Sequence, residues 1–155
     1  MTDKLLYDQD GHVVTLTFNM PESRNALTDR DLCEAIVAAM QKINADQSVR
    51  CAIVTGAGKA FSSGGNLKHM KEKSSIFGGD AIDAKDGYRS GIQQVARAMW
   101  ECEVPLIAAV NGPSYGAGCD PTCLCDIRIA STRATFAENF VRVGLISGDG
   151  GAWLL

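Results

Sequence analysis

Two glycine-rich stretches carry the residues best suited to chemistry. The first, Gly56-Ala-Gly58-Lys-Ala-Phe61-Ser-Ser-Gly-Gly65, follows a short apolar run at 51–55 and leads into a helical stretch from about Asn66. The second, Asn111-Gly-Pro-Ser-Tyr-Gly-Ala-Gly118, follows another apolar run at 106–110 and again opens a helix. Small residues let a ligand approach the backbone, and the first N–H groups of a helix have no partner within it. Two such ends meeting at one point, each adding partial positive charge, would hold a developing oxyanion between two main-chain amides. Two tight turns of an ordinary α/β domain would show the same pattern, so the spacing by itself leaves both readings open. Other glycine motifs fail. Phe61 stands where a dinucleotide fingerprint begun at Gly56 and Gly58 needs a third small residue. Ile53 stands where a P-loop needs its first glycine, and Lys59 is followed by Ala60 instead of Ser or Thr.

Proton transfer would need a side chain beside such a hole. Asp120 lies three residues beyond Ala117, about one helical turn. Asp149 sits in the turn Ser147-Gly-Asp-Gly150. Each also has a plainer task, Asp120 as a first-turn acid and Asp149 as the cap of a helix starting at Gly150. Cys119, Cys123 and Cys125 are spaced C-x3-C-x-C, which is no zinc pattern, and with Cys33, Cys51 and Cys102 they read as reduced packing residues. His12 and His69 have no ligand-spaced neighbours, so no metal is expected.

These residues need a scaffold. Residues 4–8 and 12–18 flank Asp10 and Gly11, a hairpin signal, and 12–18 alternates like a strand with one buried face. A helix is expected to begin at Thr28, capped by its hydroxyl with Asp31 closing a capping box, and to bury Leu32, Ala35, Ile36, Ala39, Met40 and Ile43. The runs 51–55 and 106–110 are nearly continuous in apolar residues, as in strands covered on both faces. Residues 74–87 show no period and read as a mobile loop. Residues 88–100 read as one helix; 127–130 and 134–136 read as short strands.

Composition narrows the class. A chain of 155 residues, 46% hydrophobic and 21% charged, can bury one domain core. Its net charge of −3 argues against a nucleic-acid or membrane-surface partner, and no apolar run approaches the ~20 residues needed to cross a bilayer. The start, MTDKLLYDQDG, shows no targeting segment, so a cytoplasmic location is expected. The final Trp153-Leu-Leu155 ends a helix of about five residues without a C-cap, below the ~12 an isolated helix needs, so missing C-terminal helices are expected.

The stretches Val14-Thr-Leu-Thr-Phe-Asn-Met-Pro-Glu-Ser-Arg-Asn-Ala-Leu27, Ala60-Phe-Ser-Ser-Gly-Gly-Asn-Leu67 and Val110-Asn-Gly-Pro-Ser-Tyr-Gly-Ala-Gly-Cys-Asp120 resemble, in order and spacing, three blocks of the crotonase (enoyl-CoA hydratase/isomerase) family. Cys125-Asp-Ile-Arg-Ile-Ala-Ser131 and the stretch 136–151 continue the match. The resemblance implies an α/β spiral of ββα units over 1–155. It implies an enzyme that binds an acyl-CoA thioester, with coenzyme A as part of the substrate and no separate cofactor. It also implies a homotrimer or a hexamer of the full-length protein. The Ser63 and Ala117 amides would be the oxyanion donors and Asp120 the first acid, with Asp149 a candidate second. Arg24, Ala26, Leu27, Gly64, Gly65, Asn66, Leu67, Tyr115, Gly116 and Phe140 would line the substrate channel; Lys68, Lys71 and Lys73 could face CoA phosphates, a solvated helix face being the plainer reading. Phe140 is the main departure: it stands where the hydratases carry their second carboxylate and cannot move a proton. Glu138, two residues earlier, would share its face if the strand continued. Hydration or double-bond shifting of a 2-enoyl-CoA leads. Decarboxylation, ring chemistry and non-catalytic acyl-CoA binding remain alternatives.

Overall fold

The computed structural model describes residues 3–155. The chain opens as a hairpin of β1 (Leu5–Asp10) and β2 (Val13–Phe18), antiparallel, with Gly11 turning the corner at φ +56°. Three further strands extend the sheet in parallel: β3 (Cys51–Gly56) beside β2, β4 (Leu106–Val110) beside β3, and β6 (Ile127–Ala130) at the edge. A second, two-stranded sheet pairs β5 (Ser114–Tyr115) with β7 (Phe136–Ala137), and an isolated bridge joins Ser62 to Ser114. Each later turn of the chain therefore gives one strand to the large sheet and one short segment to the small one before passing into helix. This is the ββα spiral expected.

One face of the large sheet carries the core. Val14, Leu16 and Phe18 of β2, Ala52 and Val54 of β3, and Leu106, Ala108 and Val110 of β4 point into it. They meet Leu32, Cys33, Ile36, Met40 and Ile43 of α1 (Arg30–Ala45) and Ile92, Val95 and Met99 of α4 (Ile92–Trp100). Strands β3 and β4 alternate buried with half-buried residues, so their second face is only partly covered. That corrects the expectation of full cover on both faces: Ile53, Thr55, Ile107 and Ala109 on that side are half-buried, with the Thr55 hydroxyl donating to Ala109 O at 2.8 Å. Phe61, in the loop after β3, packs edge-on against Phe18 with ring centres 5.5 Å apart.

Helix starts differ in detail from expectation. Asp29, and not Thr28, caps α1 by accepting from Leu32 N–H at 3.1 Å, and Lys4 clamps Asp29 and Asp31 at 2.7 and 2.8 Å. Thr28 is diverted instead: its hydroxyl accepts from Asn66 N–H at 2.9 Å and its carbonyl accepts from the Ser75 hydroxyl at 3.0 Å. Residues 74–87 are largely helical. Following a 3₁₀ turn at Ser75–Phe77, Asp80 and Asp83 form a capping box that starts α3 (Ala81–Ser90). The expected helix over 88–100 is thereby split, α3 ending and α4 beginning at Gly91. Two short helices remain beyond α2 (Leu67–Glu72): α5 (Asp120–Leu124) and α6 (Gly151–Leu154). All six cysteines are free; burial is the leading cause that pushes the thiols of Cys33, Cys119 and Cys125 up to about 12, as suits packing residues. Among the described residues, no group of three potential ligands is placed to hold a metal, and no helix is long and apolar enough to cross a membrane.

Candidate active site

The two glycine-rich turns are stitched to each other. Pro113 O accepts from the N–H groups of Phe61 and Ser62 at 3.0 and 3.1 Å, and Tyr115 N–H donates back to Ser62 O at 3.0 Å. Contact is close enough that Gly64 (φ +78°) has no room for a side chain: a Cβ there would strike Tyr115 O and stand 3.1 Å from Ala117 N. The segment 24–27 pins the first turn from the other side. Leu27 N–H donates to Gly64 O at 2.9 Å, the Ser62 hydroxyl to Asn25 O at 2.7 Å, and the Asn25 amide group to Ala57 O and Ala60 O at 2.9 Å each. Ser63 and Ala117 thereby reach the wall of one cavity of about 90 Å³. In this structure the Ser63 N–H is engaged, donating to Arg24 O at 2.8 Å.

Asp149 lies on the same wall, 4% exposed. It does not cap α6: Gly150 holds the N-cap position without a side-chain bond, and Ser147 Oγ accepts from Ala152 N–H at 3.2 Å. The Asp149 carboxyl accepts only from Gly148 N–H, at 3.2 Å through Oδ1, and its Oδ2 is buried without a partner. Gln93 of α4 holds this turn by donating to Gly148 O at 2.8 Å. Asp120 is 2% exposed with both oxygens unpartnered, and it lies behind the wall instead of on it. Burial, then the charges of Asp149 and Glu138, push its carboxyl up to about 9; burial also raises Asp149 and Glu138. Carboxyls raised in this way beside a cleft are candidates for proton transfer.

The family model described as Enoyl-CoA hydratase/isomerase matches residues 8–155. The chain belongs to the enoyl-CoA hydratase/isomerase family. It is 36% identical over 152 residues to the short-chain-enoyl-CoA hydratase of Clostridium acetobutylicum, covering 96% of this chain and 54% of that protein. It is 32% identical over 155 residues to the 1,2-epoxyphenylacetyl-CoA isomerase of Escherichia coli, covering 100% and 58%. The crystal structure of an enoyl-CoA hydratase/isomerase from Mycobacterium paratuberculosis superposes with a TM-score of 0.85 at 35% identity, over 97% of this chain and 58% of that one. The chain thus spans about half the length of the curated relatives it matches.

Of the positions singled out through that family, the cavity wall takes Ser63, Gly65, Leu67, Gly116, Ala117, Phe140 and Asp149. The others stand beside or behind it. Ala26 and Leu27 are buried in the core, and Gly64 is sealed between the two turns. Arg24 is exposed and contributes its carbonyl. Tyr115 turns its hydroxyl to Thr135, 2.8 Å away. Asn66 caps α2, accepting from Lys68 and His69 N–H at 3.0 and 3.3 Å, so an amide serves there where the family usually carries an acid. Lys68, Lys71 and Lys73 are exposed on and just after α2. The wall also includes Thr28, Met70, Tyr88, Asn139, Val143 and Leu145, which sequence reasoning did not single out. Tyr88 arrives on α3, which runs from the expected loop at 74–87 into the start of the expected helix at 88–100. Glu138 and Phe140 do not share a strand face. Strand β7 stops at Ala137 and 140–143 winds into a 3₁₀ turn, so Phe140 faces the cavity while Glu138 turns toward Asp120.

Proposed function

We propose that the protein acts on an acyl-CoA thioester by forming an enolate, in hydration or double-bond shifting of a 2-enoyl-CoA. The thioester oxygen sits between the amides of Ser63 and Ala117, and the Ser63 N–H exchanges its present acceptor, Arg24 O, for that oxygen. Asp149 takes or returns the proton, with Asp120 directly behind it. One observation carries this reading: Ser63, Ala117 and Asp149 line a single small cavity. Main-chain amides fixed by the stitched turns favour developing negative charge there once the Ser63 N–H is released from Arg24 O. Lys71 and Lys73, with Lys68 in an exposed pair with Glu72 at 3.9 Å, suit the CoA phosphates from the solvent side. Phe140 fills the second-acid position, so proton movement passes through one cavity-facing carboxyl. This favours isomerase-type chemistry over two-carboxylate water addition, and the isomerase among the relatives is consistent with it. With the family reading go a homotrimer or hexamer and a cytoplasmic location.

The test is turnover of the protein on a panel of short, medium and aryl 2-enoyl-CoA and 3-enoyl-CoA thioesters. Asp149→Asn is expected to lower kcat by roughly 10²–10⁴ with little change in KM, the range for losing a general acid/base. Thioester binding without turnover of any panel member would replace this reading with a binding protein. An unchanged kcat would remove Asp149 from the chemistry.

A further inference from the structure

Two acids stand behind Asp149, and the fold joins all three. A Cβ on Gly151 would lie 2.7 Å from Asp120 Oδ1 and 2.8 Å from Cδ and Oε2 of Glu138, so both carboxyls converge on the first residue of α6. Both oxygens of Asp120, both of Glu138 and Oδ2 of Asp149 are buried with no hydrogen-bond partner. Ionised carboxylates buried side by side without donors are strongly disfavoured, so the cluster keeps at least one proton. The three acids also reach different spaces. Asp149 lines the 90 Å³ cavity. Glu138 lines a separate open groove of about 500 Å³ with Cys119, Thr122, Arg128, Phe136 and the last two residues, Leu154 and Leu155. Asp120 lies between them and lines neither.

We propose that Asp149, Asp120 and Glu138 form a proton relay from the substrate cavity to the open groove, with Glu138 a positioning residue that sets the protonation of Asp120 and, through it, of Asp149. The proposal rests on the acyl-CoA reading for its substrate. In the forward direction the substrate C–H bond breaks, its electron pair enters the enolate and the proton goes to Asp149 carboxylate. Asp149 passes a proton to Asp120 as Asp120 passes its own to Glu138, which releases one to water in the open groove. One proton enters and one leaves, and the return path is the reverse.

Other titratable groups border this line without replacing any member. The Cys119 thiol lies beside Glu138 and is pushed up to about 12. Arg128 of β6 spends its guanidinium on the carbonyls of Thr122 and Cys125, at 3.1 and 2.6 Å. Cys123 of α5 borders the open groove. Tyr88 of α3 lies on the Asp149 side, where burial and then that carboxylate raise it, and Arg97 of α4 and Glu101, which ends that helix, border the groove outside Asp149.

The test compares Glu138→Gln, which keeps shape and removes proton exchange, with Glu138→Asp. On a thioester the protein turns over, Glu138→Gln is expected to lower kcat by about 10–100-fold with KM within about twofold, below the loss for a group that itself touches substrate. The alkaline limb of the kcat profile moves to lower pH, because one charge that keeps the proton on Asp120 is gone. Glu138→Asp restores part of both. Infrared spectroscopy supplies a readout without turnover: a protonated-carboxyl band persists at neutral pH in the parent protein and titrates at lower pH in Glu138→Gln. An unchanged alkaline limb, or no protonated carboxyl at neutral pH in the parent, overturns the relay and leaves the acyl-CoA reading intact. A band that shifts as expected while no thioester is turned over supports the relay and sinks the acyl-CoA reading instead.

Discussion

Asp120 is the residue on which sequence and structure pull apart. The family resemblance marked it as the first acid, one helical turn from Ala117, yet its carboxyl faces two other acids and not the cavity. Spacing along a helix tells which turn a side chain leaves from, but not whether a later segment of chain will lie across it. Here the segment 147–151 does so, placing Asp149 on the wall and Gly151 against Asp120. The burial has a thermodynamic signature. Asp120 holds its proton far above the 3.8 of an exposed aspartate, so the folded chain binds more protons than the unfolded one between the two values. The stability it contributes is complete below pH 3.8 and is lost progressively as pH rises toward about 9. Asp120→Asn, isosteric with the protonated acid, is therefore expected to match the parent protein near pH 4. At pH 8 it should be more stable by on the order of several kcal/mol, because the unfolded parent has released a proton that folding must take back and the Asn variant has none to recover. Urea unfolding at the two pH values checks this; a variant less stable at pH 8 would show that the carboxylate makes favourable contacts there.

At the scale of elements, the turns were legible and the caps less so. The alternating strand at 12–18, the apolar stripe of α1 and the two strand-to-glycine turns followed from periodicity that local sequence carries directly. Caps are decided within one residue. Thr28 and Asp29 both suit an N-cap, and the choice fell to Asp29 because Lys4, from before the hairpin, pairs with it while Thr28 is needed at the 66–75 segment. The helix α3 was missed because its apolar content is low, although the Asp80–Asp83 capping box stood in the sequence. What periodicity cannot supply is the closeness of two turns separated by some fifty residues. Gly64 and Gly11 turn that closeness into a comparison. Both have positive φ, but a Cβ on Gly11 meets nothing, whereas one on Gly64 meets the other turn. Gly11→Ala is expected to cost about 1–2 kcal/mol, the left-handed penalty alone, and to leave turnover intact. Gly64→Ala should cost more than that and abolish turnover, because Tyr115 O and Ala117 N must move apart to admit the methyl. Thermal melts and kinetics on the same two variants separate the effects; equal losses of activity would mean that the two turns need not touch.

For the whole molecule, the spiral was readable because its plan repeats, but the coverage of its surfaces was not. Periodicity states which face of a strand is apolar and leaves open what lies against it. Strand β6 shows the difference: it stands at the edge of the five-stranded sheet, and all four of its residues are exposed, Ile129 by 62%. Ile127 and Ile129, two apart, project from the same side. Val141, Ile146 and Trp153 add further exposed apolar surface in the last fifteen residues. An apolar sheet edge with unpaired main-chain groups is a template for pairing with another chain, and a lysine is a common device for blunting it. The 155-residue chain is therefore expected to associate reversibly, more strongly in sulfate, which favours apolar burial, than in chloride. Ile129→Lys should shift it toward monomer while changing unfolding free energy by no more than about 0.5 kcal/mol, as for a surface substitution. Sedimentation velocity over a range of concentrations decides the matter. If Ile129→Lys associates as the parent does, the contact lies elsewhere, and the exposed side chains between Val141 and Trp153 become the surface to change next.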